Sequence, residues 1–136
     1  MNNNATMLQF DWAKVEGLAV AAVLATGSRA MDDGSLVCDQ LMLVLGAQAV
    51  VMRVNDDTDE VIVSLEDAAI TKEANWQRLD QLADIVSRRL GWCWVGRNYR
   101  GYLDTFMIGL DGIDPAYSFT GAACALQCTR VTPILA

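Results

Sequence analysis

Short apolar runs of strand length, separated by turn-forming residues, limit the possible folds of this chain more than any other feature. Amphipathic helices need longer stretches, whereas runs this short, bounded by Gly, Asn, Asp and Ser, are typical of β-strands. The order of the runs predicts two antiparallel meanders, one in each half of the chain. The expected strands are 18–25, 36–45, 49–54, 60–65, 92–97, 102–110, 116–120 and 123–131.

One longer segment, about 72–90, predicts a single main α-helix. Thr71 is suited to cap its start and Gly91 to end it. We therefore expect an α+β domain with six to eight strands in one or two curved antiparallel sheets and the 72–90 helix packed on them. The near-continuous apolar runs "LMLVL" and "AVVMRV" predict strands that are covered on both faces. The apolar residues at helical spacing are Trp76, Leu79, Leu82, Ala83, Val86 and Leu90.

The length of 136 residues predicts one domain, 1–136, with a possible internal duplication. A shift of 65 residues lays "DQLMLVL" over "DTFMIGL" and aligns Asp39 with Asp104. The two halves would be 18–67 and 92–132, linked by the helix. Only three positions are identical over this alignment, so the similarity rests mainly on the shared order of strands and turns.

Composition excludes several functional classes. The formal charge is −7, opposite in sign to that of a nucleic-acid-binding surface. The chain contains no histidine, which excludes Ser–His and Cys–His nucleophiles. Because no CxxC motif occurs, we expect four reduced cysteines, no metal and no cofactor. Because the longest early apolar run, 18–25, is too short to span a bilayer, we expect no membrane segment. The expected location is cytoplasmic.

The densest segment, "GWCWVGRNYRGYLDTFMIGLDGI", predicts a hairpin with a turn at 98–101. Together with "GAACALQCTRV" it resembles a family of small bacterial domains of unknown function, with the pattern W-x-W, then N-x-x-G-Y-x-D, over about 92–132. That family has no known activity to transfer, and domains of this type are similar to immunity proteins of toxin systems. The matching residues are Trp92, Trp94, Asn98, Gly101, Tyr102 and Asp104.

Asp104 leaves two interpretations open. It alternates with Tyr102 and Phe106 on an apolar face, where an unpaired carboxylate is costly. It is either a structural acid held by Arg97, Arg100 or the turn amides, or the acid of a small-molecule or hydrolytic pocket. That pocket would be formed by Trp92, Trp94, Arg97, Tyr102 and Asp104.

The leading functional hypothesis is a non-enzymatic binding protein, most concretely a cytoplasmic immunity protein that neutralises a basic toxin domain. Small size, strong acidity and the absence of a catalytic constellation favour it. A homodimer is also possible, and an oligomeric structural subunit is a third option. The expected partner-facing acids in loops are Asp32, Asp33, Asp56, Asp57, Asp59, Glu60, Asp111 and Asp114.

Overall fold

The fold consists of β-strands and short 3-10 segments. The computed structural model describes residues 7–33, 35–72 and 75–131. The 3-10 segments there are Trp12–Lys14, Ala68–Lys72 and Asp80–Ile85. The strands are β1 (Ala22–Thr26), β2 (Arg29–Ala30), β3 (Leu36–Cys38), β4 (Gln40–Leu45), β5 (Gln48–Val54), β6 (Val61–Asp67), β7 (Gln77–Arg78), β8 (Leu90–Arg97), β9 (Leu103–Leu110), β10 (Pro115–Ala122) and β11 (Ala125–Arg130).

These strands form two antiparallel sheets. The first has the order β6-β5-β4-β1-β7, and the second has the order β2-β3-β11-β10-β9-β8. The antiparallel architecture expected from the sequence is confirmed, and each of the eight predicted runs contains a strand. The expected total of six to eight is too low, because two-residue strands lack a periodic signal and because the 36–45 run is divided between the two sheets at Asp39.

The two sheets pack face to face around one apolar core. Phe106 and Phe119 of the second sheet are fully buried, with ring centroids 6.5 Å apart. They belong to the same cluster as Leu41 and Val50 of the first sheet. Trp12 closes one side of the core, where its ring meets Phe106 edge-on at 5.7 Å.

β4 and β5 are covered on both faces, as their continuous apolar sequences predict. Leu41 and Leu43 point into the core between the sheets. Met42 and Val51 point the other way and pack against a second apolar layer, which includes Trp76. The chain after β6 thus folds back over the outer face of the first sheet.

The predicted α-helix over 72–90 is wrong, at least for the described residues 75–90. Leu79, Leu82 and Ile85 are buried at a spacing of three, which fits the short 3-10 segment that contains Leu82 and Ile85 and directly follows Leu79. The backbone amides of Leu79 and Ser87 donate to the carbonyls of Val23 and Val20 instead of to their own segment. Pairing with 18–23 therefore outweighs local helix propensity, and the domain is mostly β rather than α+β.

Gly91 is a strand residue, not the predicted helix stop, and Thr71 lies within a 3-10 segment rather than at a helix start. In the described parts of the chain, no helical segment has the length and apolar character needed to cross a membrane.

Each sheet contains four neighbouring antiparallel strands in chain order, β1-β4-β5-β6 in the first and β8-β9-β10-β11 in the second. Only the second set is a meander of consecutive strands, because β2 and β3 come between β1 and β4 in the chain. Of the aligned acids, Asp39 immediately precedes β4 and Asp104 is the second residue of β9. Asp39 packs against Gly27, where an added Cβ would lie 2.2 Å from the carboxylate, and pairs with Arg29 at 3.4 Å. The proposed duplication stays a prediction.

Candidate functional site

The most developed polar cluster joins β10, β11 and the Asp80–Ile85 segment. Tyr117 is 4% exposed, and its hydroxyl lies 2.6 and 2.7 Å from the two carboxylate oxygens of Asp84. Arg130, directly opposite Tyr117 in the β10–β11 register, approaches Asp84 Oδ2 at 3.2 Å. A buried phenol needs such a partner, so the cluster ties the 3-10 segment to the second sheet.

The chemistry of this cluster is that of a fixed hydrogen-bond donor. Burial and the neighbouring Asp84 carboxylate raise the pKa of Tyr117 to about 12. The phenol therefore stays protonated at neutral pH, where a general base or nucleophile would need a pKa much closer to 7. Tyr117 is therefore suited to donating a hydrogen bond rather than to acting as a base or a nucleophile.

Two clefts lie on either side of the cluster. The larger, of about 470 Å³, combines an apolar floor that includes Leu36 and Cys128 with the carboxylates of Asp80 and Asp84. The smaller, of about 270 Å³, is lined by Arg88, Asp114 and apolar residues of β10. Concave apolar surface with a few convergent polar groups is typical of binding sites.

Acidic loops border both clefts. Asp32 and Asp33 lie in the loop from β2 to β3, whose flanking residues line the larger cleft. Asp111 and Asp114 lie in the loop from β9 to β10 beside the smaller one. We call this end of the sandwich the acidic end. It comprises Asp32, Asp33, Asp80, Asp84, Asp111 and Asp114.

Two acids of this end, Asp33 and Asp111, have pKa values below the ordinary value for an aspartate. A hydrogen bond from the Ser35 side chain, followed by that of the Ser35 amide, lowers the pKa of Asp33. The backbone amide of Arg89 is the main cause that lowers the pKa of Asp111, and the Arg88 side chain adds to it. Arg88 pairs with Asp111 and Arg130 with Asp84, so they balance part of this charge.

The other predicted partner-facing acids lie at the opposite end of the sandwich. The carboxylate of Asp59 accepts from the amides of Ala123 and Cys124 at 3.3 and 2.9 Å, in the turn that follows β10. The 111–114 loop precedes β10, so the strand's eight residues, about 25 Å, separate the two groups. The structure thus divides the predicted set, with Asp56, Asp57, Asp59 and Glu60 in the distant group.

Asp59 and Glu60 have structural contacts at this opposite end. Asp59 holds a turn in which both Ala123 and Cys124 have positive φ, a conformation costly for residues other than glycine. The Glu60 carboxylate accepts from the amide of Leu103 at 3.2 Å and so links the two sheets.

Asp104 is held by neighbours other than those expected. Its carboxylate accepts from the side-chain amide of Asn98 at 3.3 Å and from the hydroxyl of Thr105 at 3.1 Å. Arg97 instead donates to the carbonyl of Gly101, and the backbone amide of Arg100 donates to the Asn98 side chain. Asp104 thus supports the residue that organises the 98–102 loop.

The structure brings only part of the alternative aromatic pocket together. Trp92 and Trp94 lie side by side with ring centroids 6.4 Å apart. Trp92 borders a cleft of about 310 Å³ with Glu16, Arg89 and Ile113, and Tyr102 lies in the loop after β8. Among the described residues, no three Cys, Asp or Glu side chains are grouped closely enough to hold a metal ion.

Asp80, Asp84, Tyr117 and Arg130 were not among the sequence-predicted site residues. The erroneous helix hid the two aspartates, because it placed them on a surface with no defined neighbours. Tyr117 carried a usable signal: it falls at a core-facing position of a predicted strand, where its hydroxyl requires a polar partner. No sequence pattern near Tyr117 identifies Asp84 as that partner, because the two residues are 33 positions apart in the chain.

Comparison with known proteins places the chain in a family. Residues 1–135 match a family of unknown function, DUF6334, and the chain belongs to it. The match spans nearly the whole chain rather than only 92–132. No curated protein and no solved structure matches the chain.

Proposed function

We propose that this DUF6334 member is a non-enzymatic binding protein, and that it acts as a cytoplasmic immunity protein that neutralises a basic toxin domain. The observation that carries the proposal is the acidic end, where carboxylates surround two adjoining clefts. The free thiols of Cys38, Cys93, Cys124 and Cys128 are compatible with a reducing compartment.

The larger cleft has the chemistry to hold a Lys or Arg side chain of the partner. Asp80 and Asp84 supply negative charge, and Leu36 and Leu82 supply apolar surface for the aliphatic part of the side chain. Arg130 already approaches Asp84 at 3.2 Å, and its side chain is 69% exposed. We expect the incoming cation to engage Asp80 and to displace or share Arg130.

The surrounding loops would act at longer range. The negative charges of Asp32, Asp33 and Asp114 attract a basic partner, which raises the rate of association. In the complex they face the positive surface of that partner, which favours it over partners without such a surface. A toxin whose basic cleft binds nucleic acid would have that cleft covered by the acidic end. Inhibition then needs no catalysis by this chain.

A small-molecule or hydrolytic function around Asp104 is the second candidate. It has less support, because Asn98 and Thr105 already donate hydrogen bonds to the Asp104 carboxylate. Arg97 donates to the carbonyl of Gly101 and not to Asp104. The adjacent Trp92 and Trp94 rings are the observation in its favour.

The test is co-expression with the polypeptide encoded by the adjoining reading frame of the native genome. We expect that polypeptide to stop growth when expressed alone and growth to resume when this chain is present. Asp80→Lys with Asp114→Lys should abolish the rescue, whereas Asp56→Lys with Asp57→Lys, at the opposite end, should retain it. A harmless neighbouring product, or equal rescue by both double variants, would contradict the proposal.

A further inference from the structure

The free edge of β8 differs from the other sheet edges in the described residues. β2 and β7 are edge strands of only two residues. The edge of β6 is paired with the N-terminal segment, where the amide of Val63 donates to the carbonyl of Met7 at 2.8 Å. β8 has eight residues, and in the described ranges the 17–19 segment accompanies it only as far as Leu90. Residues 92–97 therefore form a long edge with unpaired backbone groups.

Exposed apolar side chains are concentrated along this edge. Trp92 and Val95 of β8 are 50% and 49% exposed. Among the residues that the structure describes, eight large hydrophobic side chains are exposed, and only two of them, Met31 and Val86, lie elsewhere. The other six lie on β8, in the loop after it, or next to its first residues: Leu18, Trp92, Val95, Tyr99, Tyr102 and Ile113.

The regular part of this edge, 93–96, lacks the features that keep edge strands apart, since the register irregularities of β8 lie on either side of it, between Leu90 and Cys93 and between Gly96 and Arg97. Natural sheets protect their edges with inward-pointing charges, lysine, proline or very short strands. The sequence Trp92–Gly96 reads WCWVG and has no charge and no proline. An open edge of this kind pairs readily with another strand.

The charges at the two ends of the edge are complementary. The cleft beside Trp92, near the start of β8, is lined by two acids, Glu16 and Asp111, and by one base, Arg89, so its net charge is negative. Arg97 ends the strand, and Arg100 follows it. In an antiparallel pair of two β8 strands, a two-fold axis places Glu16 of one copy near Arg97 of the other. The basic partner proposed above has no such match at this edge, because it would meet the positive charges of Arg97 and Arg100.

We propose that two copies of this chain pair through β8, antiparallel about a two-fold axis near Trp94, so that the two six-stranded sheets become one continuous sheet. The paired segment is about 20 Å long. With the flanking aromatic side chains it buries roughly 1,000 Å² in total, at the lower end of specific interfaces, which is the size class of weak and transient complexes. The dimer goes beyond the proposed immunity function and leaves both acidic ends accessible, at opposite ends of the assembly.

The test is sedimentation velocity of the full chain from about 1 to about 200 μM, a range that brackets a micromolar dissociation constant. We expect the wild type to shift from monomer to dimer within this range. Val95→Lys introduces an edge-protecting charge and should raise the dissociation constant at least about tenfold. Met31→Lys is the matched control, because Met31 is 48% exposed and lies away from β8, and it should dimerise like the wild type.

Substitutions that reverse charges at the two ends of the edge test the same interface without replacing an apolar residue. They keep the proposal testable if the Val95→Lys variant does not fold. Arg97→Glu should weaken the dimer, and Glu16→Arg combined with Arg97→Glu should restore it. A wild type that is monomeric at the highest concentration, or a dimer that none of these β8 substitutions weakens, would overturn the proposal. Neither result bears on binding at the acidic end, which the co-expression test addresses.

Discussion

The hydroxyl of Tyr117 lies within 2.7 Å of both carboxylate oxygens of Asp84, and this contact joins the Asp80–Ile85 segment to the second sheet. Tyr117→Phe removes the hydrogen bond and keeps the ring. We expect unfolding free energy to fall by about 1 kcal/mol, below the usual range for a bond to a charged group, because the Asp84 side chain is 39% exposed. Urea denaturation measures the change, with Tyr99→Phe, at a 96% exposed position, as the control that should leave stability unaltered.

The same contact predicts a loss of stability at alkaline pH. The pKa of Tyr117 in the folded chain is about 12, above its ordinary value of 10.0. A group whose pKa is raised by folding contributes its full stability below the unfolded pKa, and that contribution is lost as pH rises through the folded pKa. Tyrosinate absorbance should therefore contain a component near pH 12 that is missing in Tyr117→Phe. If that component titrates near pH 10 in the folded protein, the phenol is not held by Asp84.

Asp104 is predicted to act through Asn98. Asn98→Ala leaves the amides of Arg100 and Tyr102 without their acceptor and should cost about 1–2 kcal/mol of unfolding free energy. Asp104→Asn removes only the support of Asn98 and should cost less, about 0.5–1 kcal/mol. Thermal and urea unfolding of both variants measure these two losses of stability and show whether Asn98→Ala costs more than Asp104→Asn. An unchanged melting temperature for Asp104→Asn would favour the pocket interpretation, in which this acid serves a ligand.

Gly91 is predicted to be essential for packing. An added Cβ would lie 1.8 Å from the carbonyl oxygen of Gly112, a backbone atom that has little room to move. The Gly91 carbonyl also accepts the indole N–H of the buried Trp12 at 2.8 Å. Gly91→Ala should therefore cost more than about 2 kcal/mol, in the range of overpacked core positions. Gly112→Ala, where nothing lies within 4 Å of the added atom, is the matched control and should be close to neutral.

The sequence predicts strands better than it predicts the site, for physical reasons. Runs such as 41–45 are apolar at every position, so their burial is encoded locally. The 79–90 segment misleads, because Leu79, Leu82 and Val86 fit a helical period while the backbone bonds that decide its conformation go to 18–23. Those bonds are non-local, and no pattern within the segment reports them.

The candidate site could not be predicted from the sequence, because its contacts are also non-local. Asp84, Tyr117 and Arg130 come together only because the Asp80–Ile85 segment crosses the ends of β10 and β11. Charge clusters in loops are visible in the sequence, but which of them share an end of the sandwich depends on strand direction. Asp33 and Asp114 border adjoining clefts, whereas Asp57 lies at the far end of the same sheets.

The most direct test of the account is the affinity of the purified chain for the toxic product of the adjoining reading frame, measured by calorimetry at low and high salt. The account predicts tight binding that weakens steeply with salt, a loss of at least about tenfold, or 1.4 kcal/mol, for Asp80→Asn with Asp114→Asn, and little change for Asp56→Asn with Asp57→Asn. Affinity that is independent of salt, or that depends on Asp56 and Asp57 instead, would contradict the assignment of the acidic end as the binding surface.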